Sequence, residues 1–182
     1  VQEALSEKSR KCTIAHIDDL LIFSKNDLEH LDHMDSVLTD LGKANFMVSA
    51  KKFKPFQREV LFLGHMLDGK NKWIPEERKN YFDTIEPPQT KKQLQQLLGT
   101  ANYMSPFIDS FAMLVAPLYD AMKGKTDKQP LTLNEVQLKS FYELRHQIKT
   151  APKIGLLDTS KPIYMECDAS LVGVGSILYQ EE

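Results

Sequence analysis

The stretch Thr13-Ile14-Ala15-His16-Ile17-Asp18-Asp19-Leu20-Leu21-Ile22-Phe23-Ser24 decides how the rest of the chain is read. Two adjacent carboxylates, Asp18 and Asp19, sit between two apolar runs rich in β-branched residues and too short to be helices. That pattern predicts a tight hairpin whose flanking strands are largely buried. An Asp pair does nothing for stability in such a place. Adjacent like charges repel, and desolvating them is costly unless something positive compensates. A divalent metal is the most economical compensator, because Mg²⁺ is usually held by one or two carboxylates plus substrate phosphates. The alternative is a polar turn with two solvated carboxylates, the better reading of an Asp-Asp pair in isolation.

Upstream of the hairpin, residues 1–10 place Val1, Ala4 and Leu5 on one side and charges elsewhere, as in the tail of an amphipathic helix. Downstream, Asn26 or Asp27 can cap a helix running to about Lys43, with Leu28, Leu31, Met34, Val37, Leu38 and Leu41 at helical spacing. Gly42 lies near its end. Phe46-Met47-Val48 is a short strand candidate, and Lys51-Lys52-Phe53-Lys54-Pro55-Phe56 is a basic connector interleaved with aromatics. Val60 to Leu67 and Asp68 to Ile74 read as two strands about a Gly-containing turn. This order suits an α+β fold, an antiparallel sheet with helices gathered on one face.

Pro75 opens a helix over roughly Glu76–Ile85, which stops before the stiff Pro87-Pro88 linker. Thr90 caps a second helix from Lys91 to about Tyr103, and a third, around Leu114–Met122, ends at Lys123-Gly124. Residues 75–124 therefore read as a small helical module. A polar loop follows, then a helix from Asn134 to Thr150 with Val136, Phe141, Leu144 and Ile148 as its apolar stripe. The chain closes on two strands about a polar turn, Pro162–Asp168 and Gly173–Tyr179.

The 182 residues carry a net charge of −2, so the chain as a whole is not a basic nucleic-acid binder. Polyanion contact would have to come from local groups: Lys51, Lys52, Lys54 and Arg58; Lys70 and Lys72; Lys91 and Lys92; Lys123, Lys125 and Lys128. Cys12 and Cys167 lie far apart, giving neither a disulfide framework nor a zinc spacing and favouring a reducing, intracellular setting. His30 and His33 lack a third ligand nearby and read as surface residues. No apolar run reaches the ~20 residues that span a bilayer, so no membrane partner is expected.

One helix face carries a further signal. Gln95, Gly99 and Tyr103 fall at i, i+4 and i+8. Gly99 costs ~1 kcal/mol against Ala in a helix interior. An amide, a gap and an aromatic hydroxyl in line suit a duplex minor groove: Gln reaches base-edge acceptors, Gly admits the sugar-phosphate wall, and Tyr packs on the sugar. A glycine required by packing is the competing explanation.

The run His16-Ile17-Asp18-Asp19-Leu20-Leu21-Ile22-Phe23-Ser24, followed by Asp27-Leu28-Glu29-His30-Leu31, resembles the Tyr-x-Asp-Asp palm motif of reverse transcriptases, specifically those of Ty3/gypsy-type long-terminal-repeat retroelements. The resemblance runs essentially end to end. It implies the C-terminal half of a polymerase palm over 1–74, a helical thumb over 75–124, a connecting loop and helix over 125–160, and the truncated start of a ribonuclease H-like domain over 161–182. Phe62, Leu63, Gly64 and His65 match the primer grip, and Leu94 to Tyr103 the thumb helix that tracks the minor groove. Asp18 and Asp19 would be catalytic metal ligands, with Asp168 the first carboxylate of the ribonuclease H site. The implied cofactor is Mg²⁺, with Mn²⁺ as an alternative. The implied partners are an RNA–DNA or DNA primer–template duplex and a second chain supplying fingers and the remaining palm. The implied location is cytoplasmic, within a virus-like particle, or nuclear. Two departures qualify the match. His16 stands where the family usually has Tyr, and the fingers, the other palm Asp and most of ribonuclease H are missing. The expectation is a fragment of an RNA-directed DNA polymerase that does not polymerise alone. The alternative is a retroelement-derived, non-enzymatic protein acting through protein or nucleic-acid contacts.

Overall fold

The computed structural model describes all residues except Lys125, Asp127, Lys128, Val172 and Glu182, so two lysines of the last basic group lie outside the described residues. The N-terminal segment is an interrupted helix. A single 3₁₀ turn at Gln2–Ala4 precedes α1 (Glu7–Arg10), because Ser6 leaves helical geometry and caps α1 by accepting from the Ser9 amide. Strands β1 (Thr13–His16) and β2 (Asp19–Ile22) form the expected antiparallel hairpin, and α2 (Asp27–Lys43) follows with the Asn26 side chain as its N-cap. Leu5, Cys12, Val37 and Leu41 are buried together, with Val1, Leu20 and Ile22 against them. Asp40 ties α1 to α2. Hydrogen bonds from the Ser6 and Ser9 hydroxyls and the Ser6 amide lower its carboxyl to about 2.

The flanking strands are half-buried rather than largely buried. β1 and β2 form a two-stranded sheet with only one face on the helices, leaving Ile14, Ile17 and Phe23 exposed. Phe46-Met47-Val48 is not a strand: no partner lies beside it among the described residues, and Met47 is fully exposed. The span Val60–Leu67 is not one strand either. It folds back on itself as β3 (Val60–Phe62) and β4 (His65–Leu67), with β5 (Asn71–Trp73) beside β4. These strands make a sheet separate from β1–β2.

Helices α3 (Glu76–Thr84), α4 (Lys91–Tyr103), α5 (Phe111–Ala121) and α6 (Glu135–Thr150) enclose the larger core. Phe82, Leu94, Leu98, Leu118, Phe141, Leu144 and Ile148 are essentially sealed from solvent there. Thr90 caps α4, and Asn134 with Gln137 forms a reciprocal capping box on α6, satisfying amides a helix start leaves unpaired. The stripe of α6 differs from expectation at one position: Val136 is exposed and Leu138 packs instead. Arg145 of α6 donates to the Ile85 carbonyl at 3.1 Å and to the Asp83 carbonyl, satisfying the C-terminal end of α3. Lys149 pairs with the Asp83 carboxylate at 2.6 Å and is the main reason its pKa is lowered. Residues 74–151 therefore share one core in which α6 is a full member.

After α6, the two-residue strand β6 (Ile154–Gly155) returns to pair with β5, giving the order β3-β4-β5-β6. Nothing in the periodicity announces so short a strand. Lys153 fixes it: its ammonium sits 3.5 Å from the Trp73 ring centroid and reaches Glu59 at 3.7 Å and Asp68 at 3.8 Å. β7 (Tyr164–Ser170) and β8 (Gly173–Tyr179) form a two-stranded hairpin exposed along nearly its whole length. No helix among the described residues is long and apolar enough to cross a membrane.

Because α6 completes the core that borders β5, Phe141→Ala is expected to destabilise the chain by about 3–5 kcal/mol. Far-UV circular dichroism and the fluorescence of Trp73 should then lose their signals in the same shifted thermal transition. A Trp73 transition that stays in place would show the sheet to be independent of α6.

Candidate nucleic-acid interface and paired-carboxylate turn

The Asp pair sits where a two-residue connection joins β1 to β2. His16 pairs with Asp19, so Ile17 and Asp18 form the turn and Asp19 opens β2. Ile17 has φ +52°, a left-handed conformation that costs a side-chain-bearing residue about 1–2 kcal/mol and suits a β-branched one least. With Ile17 strained and solvent-facing, both carboxylates are held at the exposed tip of a rigid hairpin. Their oxygens are the hard donors that Mg²⁺ or Mn²⁺ accepts, and two carboxylates match what Mg²⁺ usually takes from a protein. Among the described residues, no group of three or more His, Cys, Asp or Glu side chains is placed to hold a metal. The chain thus contributes a pair of ligands to a site that other oxygen donors would have to complete.

The second region is the turn between β3 and β4. Phe62 pairs with His65, leaving Leu63 (φ +45°) and Gly64 (φ +76°) as the two turn residues. Two consecutive positive φ values match the twist of a two-residue hairpin. The sequence reading placed Gly64 inside a strand; the structure corrects this, and the apolar runs on either side of Leu-Gly were the available signal. The φ of Gly64 favours glycine, and its neighbours are close. A Cβ there would lie 2.9 Å from Arg78 Nη2 and 3.3 Å from Tyr103 Cε1.

That crowding comes from a cluster joining the turn to the helical unit. The Tyr103 hydroxyl, at the end of α4, donates to the Leu63 carbonyl. Its oxygen also lies 3.1 Å from His65 Nδ1, and the two rings stack at 4.5 Å. Since the one hydroxyl proton is given to Leu63, the His65 Nδ1 carries a proton and donates to Tyr103. Phe107 lies 5.3 Å from His65, and the Arg78 guanidinium lies 5.4 Å from the Tyr103 ring centroid. His65 Nε2 is buried and has no hydrogen-bond partner among the described residues. Burial lowers the His65 pKa from 6.5, and the positive charges of Lys72 and Arg78 lower it further, with Tyr103 opposing. His65 is therefore neutral at neutral pH.

Along α4, Gln95 and Gly99 are exposed on the face that ends in Tyr103. A Cβ built on Gly99 meets nothing within 4 Å, so no packing neighbour explains this glycine. Gly99 also borders a cleft of about 820 Å³ between α4, the end of α3 and Pro87-Pro88, lined by Tyr81, Gln93, Gln96 and Thr100 among others. Asp168 stands on β7 opposite Gly175 and is exposed. The nearby Glu166 accepts from the Tyr179 hydroxyl at 2.8 Å, which raises the tyrosine pKa. The structure thus joins Leu63, Gly64 and His65 to Tyr103. It places Asp18 and Asp19 on another sheet and Asp168 on a third. Arg78, which carried no signal in the sequence, stands within the joined cluster.

Residues 1–67 match the family described as "Reverse transcriptase (RNA-dependent DNA polymerase)", and residues 133–182 match the "RNase H-like domain found in reverse transcriptase". The foamy viral protease-reverse transcriptase, solved in complex with an RNA/DNA hybrid, superposes with a TM-score of 0.81 at 24% identity. That match covers 92% of this chain and 23% of the viral one, and shows the fold to be shared. Over those two spans the chain is similar to reverse transcriptases and to their RNase H-like domain. Among curated proteins, its relatives include retroelement polyproteins. The Pol polyprotein of the transposon gypsy from Drosophila melanogaster is 34% identical over 192 residues, covering 100% of this chain and 18% of that protein. The transposon Tf2-3 polyprotein from Schizosaccharomyces pombe is 30% identical over 181 residues, covering 100% of this chain and 13% of that one. The chain spans less than a fifth of the length of these relatives.

The depressed His65 pKa fixes a pH dependence. Above pH 6.5 the imidazole is neutral in both folded and unfolded chains, and its contribution to stability is full. As pH falls from 6.5 through the lower folded value, the unfolded chain takes up the proton first and stability is lost. The melting temperature should fall across that window, and His65→Gln should flatten the fall. An NMR titration of His65 with its midpoint above 6.5 would contradict this account.

Proposed function

We propose that this chain is the part of a retroelement RNA-directed DNA polymerase that presents the paired carboxylates, grips the primer end and seats the primer–template duplex. The observation that carries the reading is the lock between the Leu63–Gly64 turn and Tyr103. It makes the turn and the exposed face of α4 one continuous surface, so a strand held at the turn would continue along Gln95 and Gly99. In this reading residues 1–74 act as palm and 75–124 as thumb. Gln95 addresses base-edge acceptors in the minor groove, and Gly99 leaves room for the sugar-phosphate wall. The Tyr103 hydroxyl is committed to Leu63, which fixes the end of α4 beside the turn.

Asp18 and Asp19 would hold the divalent ion, which when bound lowers the pKa of the primer 3′-hydroxyl and offsets charge on the triphosphate. The chain's own part is positional: the strained Ile17 turn aims both carboxylates outward, and the His16–Asp19 pair keeps them from swinging with the loop. Complete catalysis draws its remaining ligands and the fingers from polypeptide beyond these residues, in the same polyprotein or on a second chain. Asp168 would be one ligand of a ribonuclease H site completed in the same way.

Gly99→Ala separates this reading from a structural one. Alanine raises helix propensity by ~1 kcal/mol, and its methyl meets no protein atom, so the melting temperature should hold or rise. Affinity for an RNA–DNA primer–template, followed by fluorescence anisotropy, should fall several-fold for Gly99→Ala and for Gln95→Ala. Unchanged affinity in both variants would remove the duplex from this face.

A further inference from the structure

We propose that Arg78 is a phosphate-binding residue, its guanidinium receiving a backbone phosphate of the strand held at the Leu63–Gly64 turn. The inference rests on the duplex-binding reading above and adds to it a residue from a different helix. Three observations carry it. First, Arg10, Arg58 and Arg145 each have an oxygen partner, whereas Arg78 has none among the described residues. Its nearest acidic neighbours in sequence do not serve it, for Glu76 is turned to Lys79 at 3.5 Å. Second, the guanidinium is held in place without being neutralised. It lies 5.4 Å from the Tyr103 ring centroid, and Nη2 approaches the Gly64 main chain so closely that a Cβ there would be 2.9 Å away. Third, a second cation converges on the same spot. Lys72 lies 5.8 Å from the Phe107 ring centroid, and both positive charges are felt at His65, which sits between these rings.

An uncompensated, half-buried guanidinium beside Gly64, which has no side chain of its own, makes a seat for an anion. A planar fork set over an aromatic ring loses little freedom on binding, and its geometry matches two phosphate oxygens where an ammonium would act as a point charge. A nucleic-acid phosphate is the anion this surface offers, because the turn and α4 already define a strand path past Arg78.

The test measures binding of a labelled RNA–DNA primer–template by the full chain across a salt series. Arg78→Gln should weaken binding several-fold at low salt and reduce the magnitude of the slope of log K against log salt by about 0.9, the loss of one phosphate contact. Arg78→Lys should keep the slope and lose only part of the affinity. In parallel, uncharged methylphosphonates placed singly along the primer should identify one position that weakens wild-type binding and has no further effect on Arg78→Gln. A purely structural Arg78 would lower the melting temperature while leaving the salt slope unchanged. Should Arg78→Gln fail to fold, the methylphosphonate series on the wild type and Arg78→Lys decides. If no single primer phosphate matters there, Arg78 is not a phosphate ligand. Wild-type binding that weakens with Gln95→Ala but keeps its slope in Arg78→Gln overturns the inference and leaves the duplex reading standing. No wild-type binding at all overturns both.

Discussion

The hydrogen bond from the Tyr103 hydroxyl to the Leu63 carbonyl is the contact on which the arrangement depends. Leu63 is held in a left-handed conformation that its side chain disfavours, and a two-stranded turn has little of its own to enforce that. The tyrosine supplies the enforcement from a helix forty positions away. It satisfies the exposed carbonyl, stacks on His65 and brings its Cε1 to 3.3 Å from where a Cβ at position 64 would sit. In return, the last turn of α4 is fixed against a sheet rather than fraying into solvent. Sheet and helical unit are thereby set in one frame, with Phe107 and Arg78 closing the cluster from two sides.

The two turns of the molecule that carry chemical interest solve their strain differently. At Leu63–Gly64 the strain is shared with a glycine and braced by a tyrosine. At Ile17–Asp18 a β-branched residue carries the positive φ at the tip of a two-stranded sheet, and only the ladder below holds it. Strain of this kind persists where surrounding structure over-determines it and gathers at functional positions. In this chain the surroundings of the Ile17 turn are sparse: Ile14, Ile17 and Phe23 are exposed, as are Leu28 and Leu31 on α2.

Much of this was legible in the sequence because helices announce themselves locally. Asn26, Thr90 and Asn134 each marked a helix start that the structure confirms, and the stripe Leu94, Leu97, Leu98 and Ala101 is buried as its spacing required. The Asp pair was equally visible, as two charges between apolar runs. Sheets were read less well, since pairing depends on partners distant in sequence. The apolar run Val60–Leu67 looked like one strand because its turn residues, Leu63 and Gly64, break neither hydrophobicity nor length. Phe46–Val48 had strand-forming residues and no partner among the described residues, while β6 had a partner and almost no residues. The Arg78 cluster was invisible for the same reason: four elements contribute to it, and no periodicity links them.

β6 has a consequence for how the chain acquires its shape. Asn71 of the third strand in the four-stranded sheet pairs with Gly155, so completing that sheet closes a loop of roughly eighty residues, an entropic cost that slows folding of such non-local pairs. A ribosome releasing this polypeptide in order would deliver β3, β4 and β5 long before their fourth strand. Until α6 has packed and Lys153 has reached Trp73, the outer edge of β5 offers unpaired main-chain groups to any extended segment nearby. Early closure of the helical core brings the proper strand to that edge before a wrong one arrives.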